Sequence, residues 1–271
     1  MSKQVLLIND LAGYGKVALS AMIPALSYMG HHIYNLPTAL VSNTLDYGKF
    51  HILETTDYME NTMKVWEELG FQFDAISTGF IVSERQAKIV SEFCQKRAKD
   101  GVMIFADPIM GDEGKLYNGV SEQTISHMKS LVSVADYIVP NYTEAACLAD
   151  MEYSQDISEA EAHELIDRLR GLGAKSVIVT SARVDGQDVV VGFNHKNGNY
   201  FTIPFEYIPT RFPGTGDIFS AVVMGKLLEG QGLEESTKKA MDVVHDLIEK
   251  NKDNDDKFKG IPLESCLEML R

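Results

Sequence analysis

The chain has 271 residues, enough for one large α/β domain or two small ones at roughly 150 residues per domain. With 45% apolar and 24% charged residues it reads as a folded globular protein, which excludes disordered, collagen-like and coiled-coil classes. Its net charge of −14 repels polyphosphate backbones and anionic lipid, so neither nucleic acid nor membrane is an expected partner, and a small anionic ligand must be met by helix N-termini, a metal or a few basic residues.

In chain order, short apolar runs alternate with longer amphipathic stretches. Strands are expected at residues 5–8, 32–36, 75–77, 103–106, 137–139 and 176–179. Helices are expected at 16–29, 55–69, 83–99, 122–132, 143–149 and 158–172. Ser158 and Glu161 have the spacing of a capping box, and Gly171 with Gly173 offers a stop. Trp66, with Met59, Met63 and Leu69 at helical spacing, reads as core or interface. Residues 188–208 turn β-branched and aromatic around a turn at 194–198, the pattern of an antiparallel hairpin. Helices at 218–228 and 234–250 follow, then a charged stretch, 251–259, expected as a solvated loop. This alternation predicts a parallel sheet covered by helices on both faces. No repeat or long linker interrupts it, so a single domain over 1–271 is expected.

Cys94, Cys147 and Cys266 are odd in number, far apart and without C-x-x-C spacing, which suits a reducing cytoplasm and neither a disulfide framework nor a zinc site. No leader-like N-terminus and no run of about 18 apolar residues is visible, so secretion and membrane insertion are not expected.

Gly214-Thr215-Gly216-Asp217 opens an apolar helix. Its glycines allow close backbone approach, and the free amides of the first turn bind negative charge. Asp217 in that turn opposes a bound phosphate, yet it suits the proton of an attacking hydroxyl; an ordinary acid stabilised by the helix dipole is the alternative. Asp107 ends a strand and Asp112 follows five residues later, a spacing suited to a magnesium ion that keeps most of its waters. Asn141 and Glu144 add an amide and a carboxylate at a helix start, where they would equally serve as caps. Residues 13–18 imitate the dinucleotide loop G-x-G-x-x-A, but no acid ends the second strand to hold a ribose. They also lack the first glycine and the Ser or Thr of a Walker loop, leaving a tight turn beside a small-molecule pocket. The seven histidines have no metal-ligand spacing, and no G-x-S-x-G elbow is present.

Together, Gly214-Thr215-Gly216-Asp217-Ile218-Phe219, Asp107-Pro108-Ile109-Met110-Gly111-Asp112 and Pro140-Asn141-Tyr142-Thr143-Glu144 resemble the ribokinase-like superfamily. Ile8-Asn9-Asp10, Tyr14-Gly15, Pro37-Thr38, Ser42-Asn43 and Tyr47-Gly48 are similar to its pyridoxal and pyridoxamine (vitamin B6) kinase branch. The resemblance spans nearly the whole chain in order. It implies a three-layer α/β/α fold with a mostly parallel sheet, a small antiparallel β extension, and ATP-dependent phosphorylation of the 5′-hydroxymethyl group of a B6 vitamer. By motif position Asp217 would be the base, and the amides of Gly214, Thr215 and Gly216 would stabilise the transferred phosphoryl group. Asp107, Asn141 and Glu144 would hold Mg²⁺ against the ATP phosphates through waters, with Asp112 in the same motif; a monovalent cation is left open. Thr180 and Ser181 would contact nucleotide phosphates, and Val243 would wall the adenine. Asp10, Tyr14 and Thr38 would lie near the vitamer ring, with Ser42, Asn43 and Phe80 around it. Lys115, Arg183 and Arg211 are candidates for the γ-phosphate. A homodimer is implied by resemblance alone.

Two positions depart from that branch. Asp10 stands where serine is common and is expected to favour a protonated pyridine nitrogen or an amine, and Thr44 stands where a ring-neighbouring histidine is usual. The rival readings are a hydroxymethylpyrimidine kinase of the same fold, an NAD-dependent oxidoreductase built on residues 13–18, and a non-catalytic nucleotide-binding regulator.

Overall fold

The structure is a computed structural model that describes residues 2–117 and 122–270. Its elements in chain order are β1 (Gln4–Ala12), α1 (Leu19–Tyr28), β2 (His32–Val41), β3 (Ile52–Glu54), α2 (Thr56–Glu68), β4 (Ala75–Thr78), α3 (Glu84–Lys99), β5 (Met103–Ala106), β6 (Gly111–Asp112) and β7 (Lys115–Leu116). They continue with α4 (Glu122–Val132), β8 (Tyr137–Ile138), α5 (Tyr142–Leu148), α6 (Glu159–Gly171), β9 (Ser176–Val184), β10 (Gln187–Asn194), β11 (Asn199–Pro204), α7 (Thr215–Glu229) and α8 (Leu233–Asn251). The chain divides into two compact units, one of Met1–Ser77 with Ile208–Arg271 and one of Thr78–Tyr207.

In the first unit the strand order is β4-β1-β2-β3. Val5, Leu6, Leu7 and Ile8 are wholly buried, as expected of a strand covered on both faces. β1 and β2 run parallel, and their register slips between Asn9 and Leu11, where Asn9 faces Pro37 and Leu11 faces Leu40. Proline has no N–H to give the ladder, and a bulge is where a sheet tolerates that loss. The slip carries β2 on to Val41, well beyond the expected end at residue 36, and places Asp10 and Thr38 beside the bulge. Bulges re-aim side chains next to sites. α1 begins at Leu19, later than the expected residue 16, because Gly15 (φ 119°) and Ala18 (φ 48°) both lie in the left-handed region. α7 packs on α1 and α8.

The solvated loop expected over 251–259 is present from residue 252, where the side chains are half-buried or exposed and Lys257–Lys259 form a short 3-10 turn, while Asn251 belongs to α8. Asn251 is buried at the end of α8, with its amide on the Leu247 carbonyl. The carbonyls of Phe258 and Lys259 accept hydrogen bonds from Thr44 Oγ1 and from the Lys16 N–H, each at 2.7 Å. The charged side chains reach solvent as their composition implies, while backbone carbonyls bond whatever side chains flank them.

In the second unit the strand order is β11-β10-β9-β8-β5. β8 is parallel to β5 and β9, whereas β9, β10 and β11 form the expected antiparallel extension. β9 continues to Val184, so Thr180 and Ser181 lie within it and not at its end. They sit at a register slip against β10, with Ser181 at φ 56°, and the apolar Ala182 and Val184 resume the strand beyond them. Among the described residues no helix is long and apolar enough to cross a membrane.

Candidate active site

In the first unit the site is built on the entrance to α7. Gly214 is its N-cap at φ 87°, and a Cβ there would lie 2.1 Å from the Lys16 carbonyl oxygen, so only glycine fits. At Gly216 a Cβ would meet nothing within 4 Å, so the open space above the first turn is available to a ligand. The Thr215 hydroxyl donates to the Phe212 carbonyl at 3.2 Å, which anchors the turn.

Asp217 is held by two donors. The Ala18 N–H reaches Oδ2 at 2.8 Å, and the Asn9 amide reaches Oδ1 at 3.5 Å. The orientation of Asn9 is fixed because its own Oδ1 accepts the Asp10 N–H at 3.0 Å, which leaves the NH₂ group facing Asp217. Loss of surrounding water lifts the Asp217 carboxyl to about 6, against the lowering pull of the Ala18 and Asn9 donors. Burial, followed by the charge of Asp217, lifts Asp10 to about 7. Both carboxyls are thus pushed toward their neutral forms, Asp10 further than Asp217, a division of labour suited to a base beside a donor.

Thr38 is buried in β2, and Tyr14 is half exposed on the loop between β1 and α1. Ser42 and Asn43 spend their hydrogen bonds on their own loop. Ser42 Oγ accepts the His51 N–H and donates to Asn43 Oδ1, while the Asn43 amide donates to the carbonyls of Thr44 and Lys49. These two residues shape the loop. Val243 is buried in α8, and Arg211 pairs with Asp46.

The second unit holds Asp107, Asp112, Asn141, Glu144, Thr180 and Ser181 of the predicted nucleotide and metal residues, and Val243 lies in the first. Asp107 directly follows β5, where its N–H donates to the Thr78 carbonyl at 2.9 Å. Asn141 caps α5 in a capping box with Glu144. Glu144 is buried, and its oxygens accept the N–H groups of Met110 (2.9 Å), Gly111 (3.4 Å) and Asn141 (2.9 Å). Burial first, and then the charge of Asp107, raise its carboxyl well above the usual carboxylate range, against those three donors. The Asn141 amide donates to the Gly111 carbonyl at 2.7 Å, and Thr143 Oγ1 accepts the Gly114 N–H at 2.8 Å, so α5 holds the β6–β7 hairpin. Thr180 pairs with Asn141 through a parallel bridge, its N–H on the Pro140 carbonyl at 3.0 Å. Asp112 lies opposite Lys115 on the hairpin, Arg183 pairs with Asp188 at 3.6 Å, and Phe80 is half-buried just after β4. An open depression lined by Glu159, His163 and Tyr200 also lies in this unit and holds none of the predicted residues.

Sequence reading did not single out Asn9, Ala18 or Met110 as site residues. Asn9 carried a signal, a polar amide ending a wholly apolar strand run, but Ala18 and Met110 act through backbone N–H groups that no side-chain pattern reveals.

A family model described as phosphomethylpyrimidine kinase matches residues 18–260. The chain belongs to the phosphomethylpyrimidine kinase family. Among solved structures of similar proteins is a candidate phosphomethylpyrimidine kinase from Bacteroides thetaiotaomicron, in a crystal form with pyridoxal. It is 35% identical with a TM-score of 0.94, over 100% of this chain and 96% of that one. The pyridoxal kinase of Arabidopsis thaliana is 25% identical over 98% of this chain and 88% of its own length. A pyridoxal kinase from Leishmania donovani, in complex with ADP and ginkgotoxin, shares the fold at a TM-score of 0.87 and 24% identity, over 99% of this chain and 96% of that one. The ribokinase-like fold expected from the motifs is thus the fold of this phosphomethylpyrimidine kinase family member, and a dinucleotide oxidoreductase built on residues 13–18 is set aside.

Proposed function

We propose that the protein is an ATP-dependent kinase for the 5′-hydroxymethyl group of pyridoxal, pyridoxine or pyridoxamine. The observation that carries this reading is Asp217, an acid held by the Ala18 N–H inside the first turn of an anion-binding helix. A carboxylate there serves no purpose in merely binding phosphate, but it takes the proton of a hydroxyl that attacks phosphorus. As the hydroxyl oxygen bonds to the γ-phosphorus, its proton passes to Asp217, with Oδ1 the more loosely held oxygen. The bond from that phosphorus to the β–γ bridging oxygen breaks, and its electron pair leaves on ADP. The N–H groups at Gly214 to Gly216 meet the charge spread over the phosphoryl oxygens.

Asp107 and Glu144 supply oxygen donors alone, and the charge of Asp107 raises the cost of charging Glu144, which suits a hard divalent cation. Bound Mg²⁺ neutralises charge on the ATP phosphates. Glu144 is committed to three N–H donors, so Asp107 is the direct or water-bridged contact, while Glu144 and Asn141 set the loop around it and Asp112 remains on the adjoining hairpin. Thr180 and Ser181 stand beside Asn141 for the nucleotide phosphates. In the first unit Asp10, Tyr14 and Thr38 face the vitamer, with the Ser42 and Asn43 loop as support.

The three free cysteines suit a reducing cytoplasm. A homodimer has support in Leu40 and Leu53, paired across β2 and β3 yet 42% and 55% exposed.

The family description favours a second reading on one observation: hydroxymethylpyrimidine is an aromatic alcohol that the same base would serve. Release of ADP from Mg-ATP with each vitamer and with hydroxymethylpyrimidine tests both. A vitamer-dependent rate supports the first reading, and turnover of the pyrimidine alone replaces it with the second.

A further inference from the structure

Three aromatic rings from separate parts of the first unit meet on the loop that carries Ala18. Tyr47 lies 6.0 Å from Tyr14 and 5.5 Å from Phe258 between ring centroids, the second pair edge to face. Hydrogen bonds hold each contributor. The Tyr47 hydroxyl donates to Asp256 at 2.7 Å, Thr44 Oγ1 donates to the Phe258 carbonyl at 2.7 Å, and the Thr44 N–H donates to the Tyr14 carbonyl at 3.0 Å. The Lys16 N–H on the Lys259 carbonyl closes the arrangement, and Gly260 permits it: a Cβ there would lie 2.8 Å from the Lys16 carbonyl and 2.9 Å from that of Pro213. The fourth residue after Tyr14 is Ala18, whose N–H holds Asp217.

A purely structural staple would bury its rings. Here Tyr14, Tyr47 and Phe258 remain 51%, 37% and 48% exposed although Thr44, which ties them together, is buried. The Lys259 ammonium lies over one side of the Tyr14 ring, 5.6 Å from its centroid, and the accessible remainder of the three rings can take another aromatic ring. Thr44 arranges the wall: its hydroxyl recruits the C-terminal segment.

The geometry points to Tyr47 and Phe258 as substrate-specificity residues that, with Tyr14, receive the aromatic ring of the vitamer, Thr44 and Asp256 being positioning residues for that wall. The inference rests on the kinase reading above and adds to its vitamer site a C-terminal segment that the motifs do not include.

Steady-state kinetics of Phe258→Ala, Phe258→Tyr and Tyr47→Phe test it, with thermal melting to confirm folding. Losing an aromatic contact raises KM for pyridoxal about tenfold in Phe258→Ala. In that variant KM for ATP and kcat stay within about twofold, and Phe258→Tyr restores the wild-type KM. Removing the tether in Tyr47→Phe raises the vitamer KM by about threefold, a small net hydrogen-bond effect. An unchanged vitamer KM in folded Phe258→Ala, or a parallel rise in KM for ATP, overturns the assignment while the kinase reading stands. If Phe258→Ala does not fold, Tyr47→Phe decides, an unchanged vitamer KM again overturning it. Wild-type enzyme that phosphorylates none of the aromatic alcohols removes the kinase reading, and this inference with it.

Discussion

The N–H of Ala18 donates to Oδ2 of Asp217 at 2.8 Å, across 199 positions of sequence. Ala18 can do so because its backbone sits at φ 48°, turning its N–H out of the α1 helix that begins one residue later. A strained residue at a site persists only where its surroundings hold it. Here the Lys16 carbonyl against Gly214 and the Lys16 N–H on Lys259 do that holding.

A base with its carboxyl near 6 gives a defined pH profile. kcat/KM for the vitamer is expected to fall on the acid side with an inflection near pH 6, as Asp217 takes up a proton in the free enzyme. Initial rates from pH 5 to 9 check it, and a profile flat down to pH 5 would count against Asp217 as the base.

The same group costs stability. Its folded-state value lies above its unfolded value of 3.8, so its ionisation opposes folding progressively as pH rises from about 4 to about 6, and the full cost stands above that. Asp217→Asn is expected to raise the unfolding free energy from urea denaturation at pH 8 by on the order of 3 kcal/mol at most, and to leave it nearly unchanged at pH 4. A midpoint equal to or below wild type at pH 8 would contradict this.

The two glycines of the turn separate by role. Gly214→Ala forces a Cβ against the Lys16 carbonyl at positive φ and is expected to lose about 2 kcal/mol or more. Gly216→Ala meets open space and should keep stability within about 0.5 kcal/mol, yet slow turnover by obstructing approach to the backbone. Denaturation and kcat measured on both variants distinguish the two.

Glu144 is a test of the second unit. Glu144→Ala strands the N–H groups of Met110, Gly111 and Asn141 and is expected to cost about 3 kcal/mol or more. Glu144→Gln, which retains one acceptor oxygen, should fall between Ala and wild type by urea midpoint.

Much of this is legible in the amino-acid sequence. Val5 to Ile8 is apolar without alternation because both faces are covered, and the Ser158 and Asn141 caps declare their helices through side-chain chemistry. Asp217 and its glycines were visible as local chemistry at a helix start. The bulge beside Asp10 and Thr38 was not, since it depends on which strand Pro37 faces. Nor were the starting point of α1, the continuation of β9 past Ser181, or the use of residues 256–260, all set by backbone groups that meet only after folding.

The most direct measurement compares wild-type protein with Asp217→Asn in ADP formation from Mg-ATP and pyridoxal at pH 8, with melting curves showing that both are folded. Vitamer-dependent ADP release by the wild type is expected, with a loss of about a hundredfold or more in kcat for the variant, as for removal of a general base. Turnover by Asp217→Asn within about tenfold of wild type would contradict it.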